Sequence, residues 1–304
     1  MSTSRTRACY RSESVFVGDY RCDGCDSAPG AEETSRGLDV VFPRSGVFLL
    51  HFGSRTHVAD ANTVLFFNRH EPYRVTHPAP GGDTCTVLSL HPACVADLVS
   101  EFDPAVAERP ERPFSFATGP AETESFVAQR RLLSVLRPGG GMDALAIEEA
   151  VFELVGRVVA GGFLARGRRS ERSRPDTRKA HRRLARNARA VLHARLRERV
   201  TLDGVARELH TSPYHFHRVF RREVGMPVHR YLTRLRLRAA VDELAESSVD
   251  LTALALSLGF SSHSHFTGAF RREFGVSPSA FRRMVRSERA QMSKKLEVSQ
   301  VVAS

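Results

Sequence analysis

Two stretches fifty residues apart carry nearly the same chemistry: HFHRVFRREVG, His215–Gly225, and HFTGAFRREFG, His265–Gly275. Each sets two phenylalanines four residues apart, follows them with paired arginines, and ends in glycine. A guanidinium is a permanent cation whose flat fork of donors fits phosphate oxygens and the O6/N7 edge of guanine. A histidine ring nitrogen can donate to a base acceptor. Aromatic residues on one side of a helix and such donors on the other would bury the first set and offer the second to a nucleic acid. The groove of a duplex is walled by phosphate and floored by base edges, which suits a basic phrase with a few polar readers.

The neighbouring residues supply the elements that must hold these donors. In TLDGVARELHTSPYHFHRVFRREVG, Thr201 caps a short helix through Arg207, with Leu202, Val205, Ala206 and Leu209 facing inward. His210-Thr211 forms a tight turn, Ser212 caps a second helix, and Pro213 suits its first turn. Phe216, Val219 and Phe220 form the buried stripe, and Gly225 stops the helix. In DLTALALSLGFSSHSHFTGAFRREFG the same plan recurs: Leu251, Leu254, Ala255 and Leu258, a turn at Gly259, a cap from Ser261 or Ser262, and a stripe of Phe266, Ala269 and Phe270. Ala206 and Ala255 are 49 residues apart whereas the phenylalanines are 50 apart, so the second turn is one residue longer. Between the units, Tyr231, Leu232, Leu235, Ala239 and Leu244 suit one long helix. Two helix–turn–helix units on a rigid strut match the spacing of successive major grooves, roughly 34 Å.

On the first recognition helix Tyr214, His215, His217, Arg218, Arg221 and Arg222 lie off the buried stripe. An arginine such as Arg218 can take guanine O6 and N7 together. Arg221 and Arg222 sit further along and are expected to meet phosphate, which positions without reading sequence.

The charge distribution agrees. Residues 1–164 hold 15 Lys and Arg against 21 Asp and Glu (net −6), and residues 165–304 hold 30 against 13 (net +17). The basicity belongs to the second part, as for a domain that meets a polyanion. Hydrophobic residues make up 41% of the 304, enough for real cores. No apolar run approaches the length of a membrane span, and the first residues lack the apolar stretch of a signal peptide, so a cytoplasmic protein without membrane contact is expected. Five cysteines, an odd number, argue against a complete disulfide framework.

Residues 10–118 read as β structure. Short apolar runs (Val40–Phe42, Val47–Phe52, Val64–Phe67, Thr86–Leu90) recur between turn signals, as in a barrel or double-sheet sandwich. Glu122–Leu136 and Met142–Phe163 have helical spacing and form a hairpin, whose apolar faces suit either a dimer contact or packing on the barrel. The expected organisation is α+β with two domains: a sensing and dimerising domain over 1–164, a basic linker over 165–180, the all-α domain over 181–287, and a tail over 288–304.

GFSSHSHFTGAFRREFGVSPSAFR (Gly259–Arg282), preceded by a unit ending FRREVG, resembles the AraC/XylS family of bacterial transcription regulators over about His181–Ser287. VVFPRSGVF, FFNRHEPYRVTHP and GGDTCTVLSL resemble, more loosely, the family's cupin-like ligand-binding and dimerisation barrel. The resemblance implies a homodimeric regulator that binds promoter DNA, usually activates transcription, contacts RNA polymerase, and responds to a small-molecule effector. The family's base-reading positions fall on Tyr214, His217 and Arg218. In the second unit they fall on His263, Ser264 and Thr267, with Gly268 where Arg218 stands in the first. That helix is therefore expected to dock through Arg271, Arg272 and its N-terminal amides, with Ser212 and Ser262 at the two helix starts completing the DNA-binding set.

By strand alternation, Phe42, Arg44, Phe48, His51, Phe67 and Tyr73 are expected to line an effector site. His51, His57, His70, His77 and His91 are scattered, without the H-x-H and following Glu of metal-binding cupins, and no nucleophile–base pair or phosphate loop is evident, so neither an enzyme nor a cofactor is expected. Cys22-Asp23-Gly24-Cys25 lacks the usual second pair of zinc ligands, and Cys85 and Cys94 are distant in sequence, so no metal set is assigned. The alternative reading is a thiol- or metal-responsive regulator sensing through Cys22 and Cys25.

Overall fold

The computed structural model describes residues 4–23, 30–78, 81–136, 144–167, 175–246 and 249–287. The chain divides into two compact units, Met1–Ser170 and Glu171–Arg289. Cys25 and the tail 288–304 lie outside the described residues. No helix among the described residues is long and apolar enough to cross a membrane.

The first unit contains β1 (Ser4–Arg11), β2 (Val15–Cys22), β3 (Glu33–Thr34), β4 (Leu38–Ser45), β5 (Phe48–Phe52), β6 (Arg55–Ala59), β7 (Thr63–Phe67), β8 (Pro72–Thr76), β9 (Asp83–Leu90) and β10 (Thr118–Pro120). These strands form two separate sheets, not a closed barrel: a six-stranded sheet ordered β1-β2-β9-β4-β7-β10 and a four-stranded sheet ordered β3-β8-β5-β6. The break has a local cause. The ladder between β4 and β9 slips between Pro43 and Ser45, where the proline has no N–H to donate. Gly46, in the left-handed region at φ 85°, then carries the chain into β5 of the other sheet.

At the centre of the six-stranded sheet β4 and β7 are buried on both faces and read as near-continuous apolar runs instead of alternating ones, whereas β1 at its edge is mostly exposed. On β7 every residue is buried. Val64 and Phe66 join Val40 and Phe42 in a core against the helices, while Leu65 and Phe67 join Val41, Phe48 and Leu50 between the two sheets. The helical layer comprises α1 (Pro92–Ser100), α2 (Thr123–Val135) and α3 (Ala144–Gly167). Residues 92–100 are helical where β structure was expected: Pro92 stands at the start, His91 Nδ1 accepts from Ala93 N, and Val95 and Val99 bury one face. The hairpin of α2 and α3 turns its apolar residues, among them Leu132, Val151, Val155 and Val159, onto its own sheet. This settles where those faces pack.

The elements of the second unit among the described residues are all helices: α4 (Pro175–Ala194), α5 (Leu202–Glu208), α6 (Pro213–Val224), α7 (Val228–Glu246), α8 (Leu251–Ser257), α9 (His263–Phe274) and α10 (278–287). α3 and α4 both reach into the stretch read as linker, leaving 168–174 outside the described residues.

Candidate nucleic-acid interface

The two helix–turn–helix units are built from the same local contacts. Thr201 Oγ1 accepts from Gly204 N at 3.1 Å and starts α5. The chain leaves α5 through His210, left-handed at φ 51°, with Thr211 N bonded back to Ala206 O at 3.0 Å. Ser212 Oγ then accepts from His215 N at 3.2 Å and starts α6, with Pro213 in its first turn. In the second unit Asp250 caps α8, accepting from Ala253 N at 2.8 Å. Gly259 takes the left-handed position at φ 75°, and Phe260 N bonds back to Ala255 O at 3.0 Å. Of the two candidate serines, Ser262 makes the cap, accepting from His265 N at 3.1 Å, while Ser261 Oγ meets His265 Nδ1 at 3.0 Å. The longer second turn accommodates Phe260, whose buried ring packs 5.2 Å from that of Phe266. Both recognition helices end on left-handed glycines, Gly225 and Gly275.

Phe216, Val219 and Phe220 on α6, and Phe266, Ala269 and Phe270 on α9, are buried. At about 100° per residue, Arg218 and Arg221 fall opposite the first stripe, and Ser264, Gly268 and Arg271 opposite the second. Arg218, Arg221 and Arg222 are exposed, as are Ser264, Arg271 and Arg272. His217 is half-buried. The side chain of Tyr214 lies outside the described residues. His215 turns from the exposed face and sets its ring 5.6 Å from that of His181 on α4. Partial burial and the neighbouring His215 push the His181 imidazole below its ordinary value. His263 and Thr267 are half-buried and bonded to each other at 3.3 Å through Nε2 and Oγ1. Two of the three expected readers on α9 therefore satisfy one another.

Several arginines in the basic half serve the fold. Arg236 on α7 donates to Leu196 O (2.9 Å), Glu198 O (2.6 Å) and Gly259 O (2.8 Å). It ties the segment before α5 to the turn of the second unit, so one side chain clamps both reading units to the strut. Gly259 is required there twice over: its backbone is left-handed, and a Cβ would lie 2.6 Å from Arg236 Nη2. Arg234 Nε meets Glu273 Oε1 at 2.7 Å, Arg197 Nη2 meets Glu243 Oε1 at 2.6 Å, and Arg238 is fully buried. Sequence reasoning missed this clamp. The apolar period of α7 places Arg234 and Arg238 among buried leucines but carries no sign of the half-buried Arg236.

In the first unit the expected effector residues separate. Phe48, Phe67 and Tyr73 meet between the sheets, with Phe67 and Tyr73 rings 4.9 Å apart. Arg44 pairs with Asp19 and donates to Cys85 O at 3.2 Å at the margin of that layer. Phe42 lies in the other core, against the helices. His51 alternates with Phe48 and Leu50 and bonds Thr56 Oγ1 at 3.1 Å and Thr76 Oγ1 at 2.8 Å, on the opposite face of β5. Cys22 is buried at the end of β2, and Cys85, remote in sequence, is brought close because Tyr20 faces Cys85 and Cys22 faces Asp83 across the ladder. Burial and the Asp83 carboxylate push the Cys85 thiol well up, which keeps it from being a reactive thiolate.

Residues 205–284 match the helix-turn-helix domain family. The HTH-type transcriptional activator AarP of Providencia stuartii is 34% identical over 91 residues, 30% of this chain and 67% of AarP. The HTH-type transcriptional activator RhaS of Escherichia coli is 38% identical over 89 residues, 29% of this chain and 32% of RhaS. The bifunctional transcriptional activator/DNA repair enzyme AdaA of Bacillus subtilis is 31% identical over 91 residues, and the match spans less than half of its length. Among solved structures, ToxT from Vibrio cholerae O395 is similar at 12% identity and a TM-score of 0.35, covering 90% of this chain and 99% of that one. The doubled helix–turn–helix, its match to that domain family, and the identity to AarP over two thirds of AarP's length place the chain in the AraC/XylS family of transcription regulators.

Proposed function

We propose that the chain is a sequence-specific DNA-binding transcription activator whose α6 and α9 enter successive major grooves. The observation that carries this reading is the pair of capped helices, each with a buried aromatic stripe, with exposed arginines on both and one strut and one clamping arginine between them. The 19 residues of α7 span about 28 Å, a length compatible with one turn of duplex between the reading helices. Reading falls chiefly to α6, through Arg218 with His217 and Tyr214. α9 docks through Arg271, Arg272 and its N-terminal amides, with Ser264 as its exposed polar reader. His263 and Thr267, tied to each other, contribute little base contact.

The first unit, a cupin-like double sheet, senses a small-molecule effector in the layer holding Phe48, Phe67 and Tyr73, with Arg44 at its margin. The protein works as a cytoplasmic homodimer that contacts RNA polymerase and catalyses no reaction. Arg218→Ala tests the DNA reading. Loss of the bidentate guanine contact is expected to weaken binding to the cognate site by about 1–3 kcal/mol and to leave binding to random duplex nearly unchanged. Equal weakening on both duplexes, measured by fluorescence anisotropy, would show that Arg218 meets only phosphate.

A further inference from the structure

The first unit holds a cluster that neither the DNA-binding reading nor the spacing of its cysteines uses. Cys22 ends β2, Asp83 begins β9 directly opposite it, and His77 follows β8 of the other sheet. All three are buried. Their thiol sulfur, imidazole nitrogen and carboxylate oxygen lie within 4.8 Å of one another. His77 Nε2 meets Asp83 Oδ1 at 2.6 Å, and the Cys85 thiol donates to Asp83 Oδ2 at 3.2 Å.

We infer that Cys22, His77 and Asp83 form a binding site for a divalent zinc-type ion. A tetrahedral ion with bonds of about 2.0–2.3 Å sets its ligands roughly 3.3–3.8 Å apart, so small side-chain shifts convert the present cluster into a coordination shell. The donor set is sulfur, nitrogen and oxygen, which suits a borderline cation such as Zn2+ or Co2+ and disfavours Mg2+ or Ca2+. Thiolate and carboxylate together neutralise the ion, which a buried site requires. Cys85 holds the second carboxylate oxygen, the outer-sphere arrangement that orients a ligand. Three protein ligands leave the fourth corner for a water or small anion.

The backbone around the cluster is packed to hold it. Gly82 is left-handed at φ 65°, and a Cβ there would lie 1.9 Å from Cys22 O. A Cβ on Gly46 would lie 2.3 Å from Gly82 O and 2.7 Å from the Cβ of Asp83. Only glycines let these three segments meet, and their meeting puts ligands from both sheets at one point. The ion would pin the margins of the two sheets together beside the layer where Phe48 packs 5.8 Å from the His77 ring.

The test titrates Co2+ into the full-length, chelator-treated protein under reducing conditions. The expected result is one equivalent bound, with a thiolate-to-cobalt charge-transfer band in the near ultraviolet that Zn2+ abolishes. Cys22→Ser is expected to remove the band, and Asp83→Asn to weaken Co2+ binding by more than the ~10–100-fold that loss of an outer-sphere partner costs. Cys94→Ser, remote from the cluster, should change neither. A wild-type protein that binds no stoichiometric Co2+, or whose band survives Cys22→Ser, overturns the assignment. Because the wild-type titration decides on its own, a variant that fails to fold does not rescue it.

Discussion

Arg218 and Arg236 carry the same guanidinium and meet opposite environments. Arg218 stands exposed on α6, whereas Arg236 gives its donors to three backbone carbonyls. Residue type alone says that both are cations. Which one reaches DNA is decided by the helix face each occupies, and that face is set by the buried residues around it, Phe216 and Phe220 on α6 and Leu232, Leu235 and Leu237 on α7. The same logic applies to acids. Asp39 on β4 is held by the hydroxyls of Ser35 and Ser89, yet burial outweighs those bonds and raises its carboxyl above the ordinary 3.8. A raised folded-state value means that the stabilising contribution is complete below the unfolded value and is lost as pH rises through the folded one. D39N has no such dependence. The stability gap between wild type and D39N should therefore narrow as pH rises from about 4 to 7, followed by urea unfolding with circular dichroism. A gap that widens would place the Asp39 value below the ordinary one.

α9 shows what an element can and cannot reveal. Gly268 occupies the position that Arg218 holds on α6, and a glycine inside a helix costs roughly 1 kcal/mol relative to alanine. A Cβ at Gly268 would meet only Arg272 Nη1, at an ordinary 3.5 Å, so nothing inside the protein demands a glycine. Gly268→Ala should therefore raise the stability of the free protein by about 0.5–1 kcal/mol. If DNA affinity also holds, the glycine answers to neither fold nor groove. If affinity falls while stability rises, it marks a close approach of α9 to the duplex. The helical half was legible because caps, stripes and stop glycines are local signals: Thr201, Ser212, Ser262, Gly225 and Gly275 all act where their spacing put them. The sheet half was legible only in outline. β4 and β7 are apolar on both faces, so alternation could not assign Phe42 and Phe67 to different cores. His77, Asp83 and Cys22 meet through strand register across two sheets, which no local pattern encodes. The clamp was hidden for a related reason: an arginine bonded to carbonyls leaves no mark in side-chain spacing. Arg236→Lys keeps the charge but loses the planar fork. It should lower cognate affinity with little change in helix content by circular dichroism, whereas unchanged affinity would show that the strut alone fixes the two reading units.

Across the whole molecule the net charges of −6 and +17 overstate what meets DNA. Arg189, Arg195, Arg197, Arg234, Arg236 and Arg282 all donate within the second unit. The exposed arginines of the two recognition helices are Arg218, Arg221, Arg222, Arg271 and Arg272. Counterion release follows phosphates neutralised, not net charge, with a slope of about −0.9 per contact. With Arg218 on a base edge, Arg221, Arg222, Arg271 and Arg272 remain as phosphate contacts, and four of them give a slope of log affinity against log salt of about −3.6 for each chain bound, far shallower than the excess of basic residues suggests. Replacing Arg271 and Arg272 together with alanine should flatten that slope by about 1.8 and weaken specific and random sites alike, because phosphate contacts position without reading. If the slope of the double variant equals that of wild type, α9 does not lie in a groove, and the second unit serves only to hold the strut on which α6 reads.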